Sequence, residues 1–267
     1  MCTDDIHESN TQFSGAWSTL ARRSPTGEVR EQPEVLIASA NVAWPMMNTA
    51  FLRSPVETEE ALRGSLAAAV RYFRPRRHGW IFVACEDWLG PRLRARAPAL
   101  FGAYGLQRVM EATGMVAERL VPPTRPASPL DIHRVVEAKS RQHIADLNSH
   151  CYDMPVDLGR EAFDVPGFFE GGCQGYVGYH NGQPITSAAV VRVEQVAYVA
   201  MVATLPPHRQ RGHAETTLRL ALSEARRTWG TERTVLHATP AGLPLYQRMG
   251  YRVVTRFHLY QGLPEGG

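Results

Sequence analysis

Three short stretches follow one another in the second half of the chain, the first alternating between apolar and polar positions and the next two mainly apolar. CQGYVGYH (173–180), ITSAAVVRV (185–193) and QVAYVAMVAT (195–204) are short, rich in β-branched and aromatic residues, and bounded by turn formers. That pattern predicts strands. NGQP (181–184) is a hairpin signal between the first two, so the three are expected to form a meander. Elsewhere the period is helical. ETEEALRGSLAAAVRYFR (57–74) and AETTLRLALSEARRTWG (214–230) each place apolar residues on one face. The first is opened by Ser54-Pro55, carries acids in its first turn and ends in Arg, as a helix should.

Each long helix is followed by the same series of elements. A short apolar strand comes next, HGWIFVACE (78–86) or ERTVLHAT (232–239). A short helix closed by glycine follows, RAPALFGAYGL (96–106) or GLPLYQRMG (242–250). An extended stretch ends the series, 107–120 or YRVVTRFHLYQ (251–261). LFGAYGLQ (100–107) aligns over LYQRMGYR (245–252) without a gap. Helix, strand, short helix, strand therefore occurs twice, and the chain reads as two related halves. EVLIASANVAW (34–44) and LDIHRVVE (130–137) predict further strands, and KSRQHIADLNSHCYD and GREAFDVPGFFEG further helices. Residues 1–33 are polar and predict a loosely ordered lead-in. PPTRPASP (122–129) holds four prolines in eight residues and can continue neither a helix nor a central strand. It sets the expected boundary between a domain over 1–126 and one over 127–267.

Composition adds limits. Hydrophobic residues make up 44% and charged residues 21%, enough to bury a real core. No apolar run approaches the ~18 residues of a membrane span, and the polar, acidic start MCTDDIHESNTQFSG does not resemble a secretory signal. Cys2, Cys85, Cys151 and Cys173 form no CxxC pair, Cys85 sits in an apolar run as a core residue would, and the scattered histidines have no metal spacing. No metal is expected, and the reducing cytoplasm is the expected compartment. The net charge of +3 suits an anionic small ligand and is too weak to argue for nucleic acid. RPRRH (74–78) reads as a solvated helix end rather than an anion patch.

The chemistry concentrates in HRQRGHA (208–214), between the apolar strand 195–204 and the helix 214–230. A helix N-terminus offers unpaired N–H groups and a partial positive charge. Gly212 lets a bulky anion approach the backbone, Arg209 and Arg211 add charge, and Pro206-Pro207 stiffens the approach. A phosphate or pyrophosphate on the N–H groups of 210–215 is the expected ligand. The competing reading is a polar strand-to-helix loop.

Arg209, Gln210, Arg211, Gly212, His213 and Ala214 fit the Arg/Gln-x-x-Gly-x-Gly/Ala motif of the GCN5-related N-acetyltransferase (GNAT) family. Together with VAT (202–204) before it and LYQRMGY (245–251) after it, residues 130–261 resemble that family. The resemblance implies an α/β (α+β) fold with a mixed, mainly antiparallel sheet flanked by helices. It implies acetyl-CoA held between splayed strands 195–204 and 233–238, its pantetheine arm along Val202, Ala203 and Thr204 and its pyrophosphate on 209–214. A backbone N–H near Met201 or Val202 would polarise the thioester carbonyl, and Tyr246 would protonate the leaving thiolate. Thr239 stands where many members have an asparagine that contacts the cofactor. No residue matches a general base clearly. Glu194 lies ten residues from Thr204, too far along the strand. His237 is the candidate, set against an ordinary packed strand histidine, and water serves if there is no base.

The resemblance implies an N-acetyltransferase with a small-molecule or peptide amine as acceptor; neither nucleic acid nor membrane is expected as partner, and a homodimer is left open. A non-catalytic CoA-binding module and a transferase of another acyl group are the alternatives. The first half lacks the loop: NTAFLRSPVETEE has no glycine and three acids, and Phe101 stands at the tyrosine position. A degenerate half that binds no CoA is expected. Trp44, Met46, Met47 and Asn48 are either a wall of the acceptor site or ordinary core.

Overall fold

The computed structural model describes residues 3–76 and 78–262. The chain forms two compact units. The first runs to Gly114 and also takes Ala238–Pro240 and the residues from Val253 on; the second comprises Met115–His237 and Ala241–Arg252. The division therefore falls before the prolines at 122–129, and the last strand of the chain groups with the first unit.

The first unit opens with α1 (Thr3–Ala21). This 19-residue helix lies where the polar composition predicts a loose lead-in. Phe13, Ala16, Leu20 and Ala21 are buried along it, and buried Ser9 and Gln12 share the inner side. Phe13 meets Trp17, Phe51 and Phe257 edge to face. Trp17 Nε1 donates to the Met46 carbonyl at 2.6 Å. The apolar stripe is thus made of a few large residues at helical spacing, diluted by Ser, Thr and Asn that mask it in composition.

The strands are β1 (Glu28–Glu31), β2 (Val35–Ser39), β3 (Asn48–Leu52) and β4 (Trp80–Cys85), joined in the first unit by β11 (Arg252–Gly262). β1–β2, β2–β3 and β4–β11 pair antiparallel, while β3–β4 pair in parallel. The parallel connection is made by α2 (Glu59–Phe73). α3 (Pro91–Ala103) then leads into β5 (Leu106–Ala117). Trp44 and Met47 are core, and Asn48 is buried with its side chain spent on Ser39, Asn41 and the carbonyls of Val42, Trp44 and Gly79. These residues hold a turn, the ordinary-core alternative of the sequence reading; Met46 is half-buried beside them. Cys85 is in the core, as expected.

The second unit holds β6 (Asp131–Arg134), β7 (Cys173–His180), β8 (Gln183–Val193), β9 (Val196–Thr204) and β10 (Thr234–Ala238). β6 through β9 pair antiparallel in sequence order, and β9–β10 pair in parallel. Asn181 and Gly182 take positive φ at the predicted hairpin turn. α4 (Ala138–Cys151) and α5 (Val156–Phe163) precede the meander, α6 (His213–Trp229) links β9 to β10, and α7 (Leu243–Arg248) follows β10. The expected class, a mixed and mainly antiparallel α/β fold flanked by helices, is what the chain adopts.

Candidate functional site

In the second unit β9 and β10 share register only at Thr234↔Ala197 and Val235↔Tyr198. Beyond Tyr198 the two strands have no further register partners, so their backbones part at the end that carries Val199–Thr204 and His237. On its other edge β9 bulges. Ser187 faces Ala203 while Ala189 faces Ala200, which leaves one extra residue in β9. Met201 takes the strain, with φ of 51° in the left-handed region. Ser187 Oγ donates to the Met201 carbonyl at 2.9 Å, and Asn148 of α4 donates to Ser187 Oγ at 3.3 Å. The bulge is therefore a held conformation. Buried backbone N–H and C=O groups need partners, and an unpaired strand edge beside a gap suits an extended ligand that adds itself as a strand.

The loop after β9 leads directly to the N-terminus of α6. Gln210 and Gly212 both have positive φ, 63° and 83°. Left-handed residues of this kind turn successive N–H groups to one side as an anion cradle. Gly212 is the N-cap and no side chain caps the helix. A Cβ at Gly212 would come 3.1 Å from Ser128 Oγ. Ser128 donates from Oγ to the Arg211 carbonyl at 2.8 Å and from its N–H to Thr216 Oγ1 at 2.9 Å. The proline-rich stretch is thus a buttress of this loop, a role that its breaker composition did not reveal. Arg209 Nε donates to the Thr204 carbonyl at 2.9 Å and closes the end of β9. Arg209, Gln210 and Arg211 are exposed, whereas His213 is buried and Ala214 half-buried.

Tyr246 sits on α7, buried, with its ring edge-on to Tyr251 at 5.8 Å. Burial first, then the neighbouring Tyr152 and Tyr251, push its hydroxyl well above the usual phenol range, so it stays protonated. His237 lies on the separated part of β10. Its Nδ1 and the Tyr198 hydroxyl share a hydrogen bond of 2.9 Å, and burial holds the ring well below the usual histidine range. Tyr198 and Tyr152 were not singled out from sequence. Tyr198 lies in an almost wholly apolar strand, and its partner is set by a non-local pairing. Thr239 follows β10 within the segment that groups with the first unit. Glu194 is an exposed turn residue with φ of 54°.

The first unit repeats this framework in closed form. β3 and β4 keep register through Thr49↔Ile81, Ala50↔Phe82 and Phe51↔Val83. Where a gap would open, the chain fills it with its own backbone: Val56 N–H donates to the Trp88 carbonyl at 2.8 Å, and Gly90 N–H to the Val56 carbonyl at 3.0 Å. The N-terminus of α2 is capped by Thr58, which accepts from the Ala61 N–H, and carries Glu59 and Glu60. An anion has no place at such an end. Phe101, aligned with Tyr246, is fully buried and stacks on Tyr260 at 3.7 Å.

Among the described residues no cluster of His, Cys, Asp and Glu has the geometry of a metal site, and no helix is long and apolar enough to cross a membrane. The family model described as the acetyltransferase (GNAT) family matches residues 133–251. Solved structures with the same fold include a GCN5-related N-acetyltransferase from Kribbella flavida, 16% identical, covering 97% of this chain and 96% of that one at a TM-score of 0.70. A putative acetyltransferase of the GNAT family from Novosphingobium aromaticivorans is 14% identical over 96% of this chain and 98% of that one, at a TM-score of 0.56. A functionally unknown conserved protein from Staphylococcus epidermidis is 12% identical over 88% and 93%, at 0.63. No curated protein matches the chain significantly.

Proposed function

We propose that this protein moves an acetyl group from acetyl-CoA to a primary amine, a reading supported by the match of residues 133–251 to the acetyltransferase (GNAT) family model. The observation that carries the reading is the combination, in one unit, of parted strands, a bulge at Met201 and an uncapped glycine-bearing helix start at 209–214. The residues fit the coenzyme. The free edge of Val202, Ala203 and Thr204 would hold its extended arm, and the N–H groups of Gln210 to Ala214 its phosphates.

Bound there, acetyl-CoA supplies an activated thioester. The chain's part is to place that carbonyl against the backbone at Met201 and Val202, whose N–H groups stabilise developing negative charge. Tyr246, held protonated by its burial, donates its hydroxyl proton to the departing sulfur. His237 stays neutral but is a weak base for an ammonium group, so the amine proton leaves to water.

The test is release of free thiol from acetyl-CoA in the presence of a panel of small amines and peptides, alongside calorimetry of CoA binding. Turnover with at least one amine is expected. CoA binding without transfer to any amine would replace the enzyme by a CoA-binding module, and transfer only from longer acyl-CoAs would change the donor.

A further inference from the structure

Three histidines meet beside the phosphate loop of the second unit. His180 ends β7, His208 ends the turn Pro206–His208, and His213 begins α6. Their ring centroids form a nearly equilateral triangle, 6.4 Å for His180–His208 and 6.3 Å for the other two sides. His213 is only 7% exposed. Nδ1 of His213 and Nδ1 of His208 are both buried without a hydrogen-bond partner among the described residues. Buried polar atoms without partners are uncommon and call for an account.

The surroundings select the kind of partner. The charged group acting on His213 from the loop is Arg211, and the imidazoles of His180 and His208 act in the same sense. From the linker, Arg125 reaches the Gly212 position. On α6 itself the buried carboxylate is Glu215, already paired with Arg219 at 2.9 Å. Free positive charge and a helix N-terminus repel a cation and favour an anion. Burial, then His208, His180 and Arg211, hold His213 below the usual histidine range, so it is neutral at pH 7 while no anion is near.

We propose that His180, His208 and His213 form a proton-coupled phosphate site at the start of α6, where binding of a phosphate group draws a proton from the buffer onto the cluster. The inference rests on the reading of 209–214 as a phosphate loop and deepens it, because coenzyme affinity becomes pH-dependent through these side chains. A bound dianion raises the imidazole pKa, and linkage then tightens binding as pH falls.

Two measurements on the full chain test this. In the first, the histidine ring protons are followed by NMR across pH with and without inorganic phosphate. The His213 titration midpoint is expected to rise by about one pH unit or more with phosphate; an unchanged midpoint overturns the proposal. In the second, CoA binding is measured by calorimetry at pH 7 in two phosphate-free buffers of different ionisation enthalpy. Proton uptake is expected for the wild type and is lost in a variant with His180→Gln, His208→Gln and His213→Gln. The wild-type Kd is expected to rise with pH by up to about tenfold per pH unit between the free and the phosphate-bound titration midpoints of the cluster, and the variant's slope to be flatter. His180→Gln alone, at a half-buried strand end, serves if the triple variant does not fold. Equal uptake and equal slope in wild type and variant overturn the proposal while leaving the coenzyme reading intact. Failure of wild-type protein to bind CoA at any pH overturns the coenzyme reading, and the phosphate titration then decides on the cluster alone.

Discussion

The Tyr198 hydroxyl and His237 Nδ1 lie 2.9 Å apart and join β9 to β10 at the level where their register ends. The bond fixes the one titratable side chain on the separated part of β10. For His237 to accept a proton at Nε2, Nδ1 must carry the other hydrogen and donate it to Tyr198.

The pH dependence of stability follows from that burial. His237 has a folded pKa well below its unfolded value of about 6.5. Below that pH the unfolded chain binds more protons than the folded one, so stability falls as pH falls from about 6.5. Urea unfolding at pH 7.5, 6.0 and 5.0 is expected to show this loss, and His237→Gln to reduce it. A slope unchanged by the substitution would place the titrating group elsewhere.

Tyr246→Phe is expected to lower kcat about 100-fold, with the affinity for CoA nearly unchanged. The pH–rate profile of the wild type should lack a basic limb below pH ~10, because the raised hydroxyl does not ionise there. A kcat within twofold of wild type would remove Tyr246 from its role as acid.

Gly212→Val forces a branched residue to φ of 83° and brings its Cβ against Ser128 Oγ. A stability loss of about 1–2 kcal/mol is expected from the left-handed conformation alone. CoA binding should weaken by more than the stability loss explains, which calorimetry on the folded fraction resolves. Normal CoA affinity would argue for a different anion site.

Calorimetry should give one CoA per chain. Val56 occupies the gap of the first unit with backbone bonds to Trp88 and Gly90, and Thr58 caps α2. Arg211→Ala in the second unit should weaken binding by removing a cationic neighbour of the loop, while Arg63→Ala on α2 should leave it unchanged. A stoichiometry of two would show that the first unit opens.

Phe13→Ala is expected to cost about 3–5 kcal/mol, because the ring is buried against Phe51 and Phe257. Thermal unfolding measures it. A shift of less than a degree would mean that α1 packs as an appendage.

Local signals were legible in the sequence, and non-local ones were not. The meander, the turn at Asn181-Gly182 and the helix after Gly212 rest on short-range spacing and turn chemistry, and each forms as read. α1 escaped because its buried side includes Ser9 and Gln12 as well as Phe13 and Leu20. α3 begins at Pro91, five residues earlier than its apolar core suggests, because Leu93 and Ala97 alternate with arginines. The pairing of Tyr198 with His237, the buttress from Ser128 and the destination of β11 depend on which strands become neighbours, and no window of a few residues encodes that.

β11 carries a consequence for biosynthesis. Its residues Phe257–Gly262 pair with Trp80–Cys85, so β4 waits for a strand made much later in synthesis to complete its pairing. A nascent chain leaving the ribosome N-terminus first holds β4 with that partner edge bare until β11 has been made. Premature termination anywhere before residue 252 would thus leave β4 without this partner, and severing the gene at the prolines would put β11 on a different fragment from β4.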